Sequence, residues 1–102
     1  MSWVKVAERS ELYEERMLLV HVGEKPLAVA LYQGKVYAFN ALCPHASASL
    51  VEGDLWPGVV ICPLHAYRYD LRNGVCLKPR DGPRLRVYSA EFRGDEVWVK
   101  LG

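Results

Sequence analysis

Two short segments carry the same residue types in the same order: Cys43-Pro44-His45 and Cys62-Pro63-Leu64-His65. Sixteen residues lie between His45 and Cys62. The segments hold two of the three cysteines and two of the three histidines in the chain. Each is short, has a proline directly after its cysteine and sits at the end of a predicted strand, so each is expected to be a loop tip. Two tips brought together present two thiolates and two imidazoles, a donor set that suits zinc or an iron–sulfur cluster. Small zinc modules usually space their cysteines as C-x2–4-C, and neither segment contains a cysteine pair. Each tip supplies one soft and one borderline ligand instead. A zinc-binding interaction domain, which would be colourless, remains the alternative from a different functional class.

Short strands surround the tips. Residues 3–6 alternate apolar and polar, as a half-buried strand does. Residues 10–15 suit one or two helical turns, with Ser10 as the cap and carboxylates near the start. Strands are expected over 17–22, 26–32 and 35–40, with Gln33-Gly34 as a two-residue hairpin turn between the last two. Further strands are expected over 58–62 and 67–71, the second ending at the turn Arg72-Asn73-Gly74. A final hairpin joins 84–92 to 96–101 around Gly94-Asp95. Many short strands with regular turns predict an all-β sandwich or small barrel.

Composition narrows the function. The 102 residues are 51% hydrophobic and 25% charged, which is one globular domain, 1–102, and argues against disorder. Thirteen Lys and Arg against twelve Asp and Glu leave a formal charge of +1. A general nucleic-acid or anionic-membrane binder would carry a strong basic excess. The longest apolar run, about residues 27–32, is far too short to cross a bilayer. The N-terminus lacks the apolar stretch of a signal peptide, so a cytoplasmic location is expected. Three cysteines are too few, and too odd a number, for a disulfide scaffold.

C-x-H followed about sixteen residues later by C-x-x-H resembles the Rieske [2Fe-2S] motif. The likeness extends over almost the whole chain, through Trp3-Val4-Lys5-Val6, Asn40-Ala41-Leu42-Cys43-Pro44-His45, Glu52-Gly53 and Tyr69-Asp70-Leu71-Arg72-Asn73-Gly74. It is to soluble, low-potential bacterial Rieske-type ferredoxins. The resemblance implies a Rieske fold, a small antiparallel β-structure with a cluster-binding subdomain inserted at about 41–80. It implies one [2Fe-2S] cluster per chain, with Cys43 and Cys62 on the inner iron and His45 and His65 on the outer, more exposed one. Neutral imidazoles in place of two thiolates make such a cluster easier to reduce, at about −150 to +300 mV against about −400 mV for plant-type ferredoxins. The second N–H of each imidazole couples potential to pH, so the potential is expected to fall as pH rises.

Departures from the family pattern refine this. Respiratory members carry an extra cysteine in each loop; the resemblance places Ala48 and Leu64 there, so that disulfide is absent. A serine that donates to a bridging sulfide in high-potential members is replaced by Tyr67. Tyr69 matches a tyrosine that donates to a cysteine sulfur, and it is expected to raise an otherwise low-to-intermediate potential modestly. Cys76 reads as a small buried apolar residue, and His21 as structural or solvent-facing. The resemblance implies a third loop over the cluster, to which Pro79 is assigned in preference to Pro83. Trp3, Trp56 and Trp98 are taken as core or near-core packing, and Arg80, Arg84 and Arg86 as a solvated strip. Pro44, Ala46, Leu64, Ala66 and Tyr67 form a mostly apolar collar suited to transient docking.

There is no nucleophile–base pair, phosphate-binding glycine loop or substrate motif, so the expected role is electron transfer and not catalysis. The resemblance implies a monomer that accepts electrons from a reductase and passes them to an oxygenase. The competing family role is the Rieske-like small subunit of an assimilatory nitrite reductase. A terminal oxygenase subunit would need a substrate domain for which this length leaves no residues.

Overall fold

The computed structural model describes residues 2–45 and 48–101. In chain order the strands are β1 (Ser2–Glu8), β2 (Arg16–Val22), β3 (Lys25–Tyr32), β4 (Lys35–Asn40), β5 (Asp54–Trp56), β6 (Val59–Ile61), β7 (Arg68–Asp70), β8 (Cys76–Lys78), β9 (Val87–Arg93) and β10 (Glu96–Leu101). Six of them form an antiparallel sheet in the order β1-β10-β9-β4-β3-β2. The other four, β5-β6-β7-β8, form a second antiparallel sheet. The chain leaves the large sheet after β4, builds the small sheet, and returns through β9. The edges β1 and β2 approach each other, so the large sheet curls.

The hairpin turn at Gln33-Gly34 has positive φ at both residues, 51° and 77°, as a type I′ turn requires. The turn at Gly94-Asp95 joins Arg93 and Glu96, which are paired as expected. In β3 successive side chains point to opposite faces, and both faces are buried. Leu27 and Val29 enter one core with Val36, Ala38, Val97 and Val99. Ala28 and Ala30 enter a second core with Phe39, Cys43, Leu50, Cys62, Tyr69 and Leu85. A strand buried on both faces reads as a continuous apolar run, which is what residues 27–32 show.

Several expectations change. The helical segment is a single 3-10 turn, Arg9–Glu11, capped by Glu8 and not by Ser10. The Glu11 carboxylate accepts a 2.8 Å hydrogen bond from the Glu8 N–H, while Leu12 turns into the core and ends the turn. The final hairpin begins at Val87 and not at residue 84. Strands β5 and β8 were not expected: β6 is equally short but lies in a continuous apolar run and β7 is closed by the Arg72-Asn73-Gly74 turn, whereas β5 and β8 mix polar and apolar residues over three positions, too few to display a period. Trp56 is not core: it is 51% exposed, with the Arg68 guanidinium 5.1 Å from its ring centre. Trp3 and Trp98 are half-buried and flank the Arg93 guanidinium, at 4.9 and 4.6 Å. Among the described residues, no helix is long and apolar enough to cross a membrane.

Candidate metal centre

The two Cys/His segments are the tips of two equivalent hairpins. Leu42 pairs with Ser49 around the first, and Ile61 pairs with Arg68 around the second. Each pairing encloses six residues, and the cysteine comes first in both. The Cys43 N–H donates to the Ala48 carbonyl at 2.8 Å, and the Cys62 N–H donates to the Tyr67 carbonyl at 2.8 Å. The same i to i+5 closure therefore ends both tips. The prolines fit because neither position is called on to donate within the closure. Ala46 and Ser47 lie outside the described residues.

The tips face each other so that donors of one kind meet. Cys43 and Cys62 are both 1% exposed, lie in one core cluster and form no disulfide. His45 and His65 lie farther out, with ring centroids 5.2 Å apart and ring planes at 64°. His45 is half-buried and His65 exposed. The arrangement is a thiol pair inside and an imidazole pair outside. Among the described residues, no three Cys, His, Asp or Glu side chains converge as ligands of a single ion would.

Small-sheet residues line the thiols. Leu55, Val60, Tyr69 and Cys76 stand in one cross-strand row over β5 to β8, and Val60, Tyr69 and Cys76 are buried with the two donor cysteines. The Tyr69 hydroxyl lies 3.2 Å from Cys43 Sγ. Burial first, and Cys43 second, push the Tyr69 phenol far above its ordinary range, so it stays protonated. Against a thiolate it is therefore the donor. The Leu64 backbone N–H donates to Cys62 Sγ at 3.4 Å. Burial pushes the Cys62 thiol up; the Leu64 N–H opposes this and Cys43 adds to it. Cys76 is buried as expected, and burial raises its thiol too. It packs against Gly82, where any side chain would collide with its sulfur.

Two features of the tips gave no clear sequence signal. His65 and Ala66 have φ of 66° and 54°, a left-handed conformation that costs an L-residue about 1–2 kcal/mol. Tyr67 stacks on His45, with centroids 3.8 Å apart and planes 14° from parallel. Pro79 reaches the same groove as His65, beside Tyr67, Arg68 and Lys78. His21 is exposed on β2.

A metal group fits these residues. Among the described residues, His45 Nδ1 is buried without a hydrogen-bond partner, and leaving such an atom unpaired costs about 1–3 kcal/mol. The adjoining thiols are soft donors in a dry setting, and N–H and O–H groups already point at sulfur.

Known proteins of similar sequence and shape agree. The ferredoxin component of the alkene monooxygenase system of Xanthobacter autotrophicus is 32% identical over 97% of this chain and 81% of its own. The ferredoxin component of the naphthalene 1,2-dioxygenase system of Pseudomonas putida is 30% identical over 99% of this chain and 97% of its own. In a solved complex of reduced oxygenase and oxidized ferredoxin in carbazole 1,9a-dioxygenase, one chain superimposes with a TM-score of 0.87 at 32% identity. The match covers 98% of this chain and 97% of that one. Residues 2–89 match the family described as the Rieske [2Fe-2S] domain. On that match and these near-full-length relatives, the chain belongs to the Rieske [2Fe-2S] family.

Proposed function

We propose that this protein is a one-electron carrier that takes electrons from a reductase and delivers them to an oxygenase. Cys43 and Cys62 hold the inner iron, and His45 and His65 the outer one. The unit over about residues 41–80 is the cluster-binding unit, and the protein works as a cytoplasmic monomer. The supporting observation is the depth order of the donors: thiols in the core, one imidazole half-buried, the other exposed.

When bound, the cluster supplies reversible one-electron chemistry. The chain's residues set the terms for it. Cys43 and Cys62 offer thiolates in a water-excluded setting. His45 offers Nδ1, the nitrogen that is buried and without a partner among the described residues. The Tyr69 hydroxyl and the Leu64 N–H donate toward sulfur, which favours the more negative, reduced state. Around His65, exposed Pro44, Ala66 and Leu64 and half-buried Tyr67 form a mostly apolar rim, with Leu64 44% exposed. Ala46, assigned to the same collar, lies outside the described residues. A small apolar rim suits a contact that releases after transfer.

Electron paramagnetic resonance before and after dithionite, with metal analysis, tests the assignment. The expected result is two irons per chain and a signal on reduction only, with the low average g-value of mixed His/Cys ligation. A colourless, silent protein holding zinc would sink it.

A further inference from the structure

Beside His65 runs a groove of about 420 Å³, bounded by Tyr67 and Pro79 and flanked by two cations, Arg68 and Lys78. These two stand directly opposite each other on β7 and β8. Like charges at such positions repel. Among the described residues, neither has a carboxylate within ion-pair distance. Asp54 lies in the same cross-strand row, but Ile61 stands between it and Arg68. Asp81, beyond the turn that follows Lys78, pairs with neither. Exposed Arg80 adds a third cation.

Arg68 is held in place. Its guanidinium lies over Trp56, and its Nε is buried with no hydrogen-bond partner among the described residues. A half-buried, unpaired guanidinium next to a second cation is costly to keep. Beyond the contact with Trp56, no charge among the described residues offsets that cost, so an external anion is the partner this arrangement suits. The chain as a whole is nearly neutral at +1, so the excess at the groove is local and acts only at short range.

We propose that this groove docks an acidic face of the protein that receives the electron. Carboxylates on that face pair with Arg68 and Lys78 and bring its own centre against His65. This rests on the carrier reading above and adds the charge that the acceptor must present. Charge matching of this kind chiefly speeds encounter and fixes orientation, which a transient contact needs.

A gold electrode coated with a carboxylate-terminated monolayer serves as the probe of an acidic face, with an ammonium-terminated monolayer as its opposite. The expected result for the reduced, cluster-loaded protein is a strong voltammetric response on carboxylate that drops roughly tenfold from low to high salt. The response on ammonium should be weak. Lys78→Glu should cut the carboxylate response roughly tenfold with an unchanged resonance spectrum. Lys35→Glu, which makes the same change in net charge at the far end of β4, should leave it intact. If Lys78→Glu does not fold, Lys78→Gln and Arg68→Gln carry the same test with a smaller drop. Equal responses on both monolayers, or equal losses from Lys35→Glu and Lys78→Glu, would overturn the docking proposal. A wild-type protein with no resonance signal would sink the carrier reading itself.

Discussion

The large sheet is built from strands of six to eight residues, the small one from strands of three. The large sheet encloses a core of Leu, Val and Ala that no donor residue enters. The small sheet turns Val60, Tyr69 and Cys76 toward the two donor cysteines, and those sulfurs are part of its packing. Long strands with one apolar face can hold themselves together. Three-residue strands need more, so the small sheet leans on Ala28, Ala30 and Phe39 of the large sheet and on what its loops bind. Stability and chemistry are thus separate in the core behind Leu27 and Val29 and joined in the core that the small sheet shares with the other face of β3.

Removing a donor should expose that dependence most strongly. Cys62→Ser is expected to abolish colour and the resonance signal. The far-ultraviolet circular dichroism of the large sheet should survive, while hydrogen exchange in 54–78 speeds up. Cutting the large sheet's core tests the converse. Leu27→Ala should lower the unfolding free energy by about 3 kcal/mol in denaturant titration, with the spectrum of the loaded protein unchanged. A spectrum that shifts with Leu27→Ala would show that the regions are not separable.

Smaller changes sharpen the picture inside the small sheet. Tyr69→Phe removes one donor to Cys43 Sγ. It should lower the reduction potential by about 40 mV, the one-electron equivalent of about 1 kcal/mol for one hydrogen bond, as read by potentiometric titration. Ala66→Gly relieves a left-handed residue and should raise the unfolding free energy by about 0.5–1 kcal/mol without moving the potential. The smallest effect concerns Asp70, whose carboxyl the Arg72 side chain holds below its ordinary range. A pKa lowered on folding gives stability that is present above the ordinary carboxylate pKa and lost as pH falls through the folded value. Arg72 is largely exposed, so the loss below about pH 4 should be under about 1 kcal/mol. Asp70→Asn should flatten that part of the stability profile.

The same contrast governs what the sequence makes legible. Strands β2, β3, β4 and β10 announce themselves because six to eight residues display a period and their turns use Gly at fixed places. Strands β5 and β8 do not: Asp54-Leu55-Trp56 and Cys76-Leu77-Lys78 are too short to show one, and they lack the apolar run that marks β6 and the closing turn that marks β7. The donor loops are legible for another reason: thiol and imidazole side chains are rare, and their repeated order stands out. The neighbours of those donors are hidden. Nothing in the string Ala66-Tyr67-Arg68 says that the tyrosine ring will lie on His45, or that Arg68 will face Lys78. The first contact comes from the way the two tips face each other and the second from the pairing of β7 with β8, which only the fold supplies. Trp56 departs from expectation because a large aromatic suggests burial, whereas its neighbour Arg68 gives it a reason to stay at the surface.

The two-faced strand β3 has a consequence for how the chain tolerates change. Its alanines and its larger residues alternate, and each set fills a different interior. Inserting or deleting one residue inside β3, just before Leu27, would exchange the sets. Leu27 and Val29 would then press on Cys43 and Phe39, while the alanines would leave voids behind Val97 and Val99. Both interiors would fail at once, one overfilled and one hollow. Length changes in this part of the chain should therefore be tolerated in the turns at either end of β3 and rejected within it.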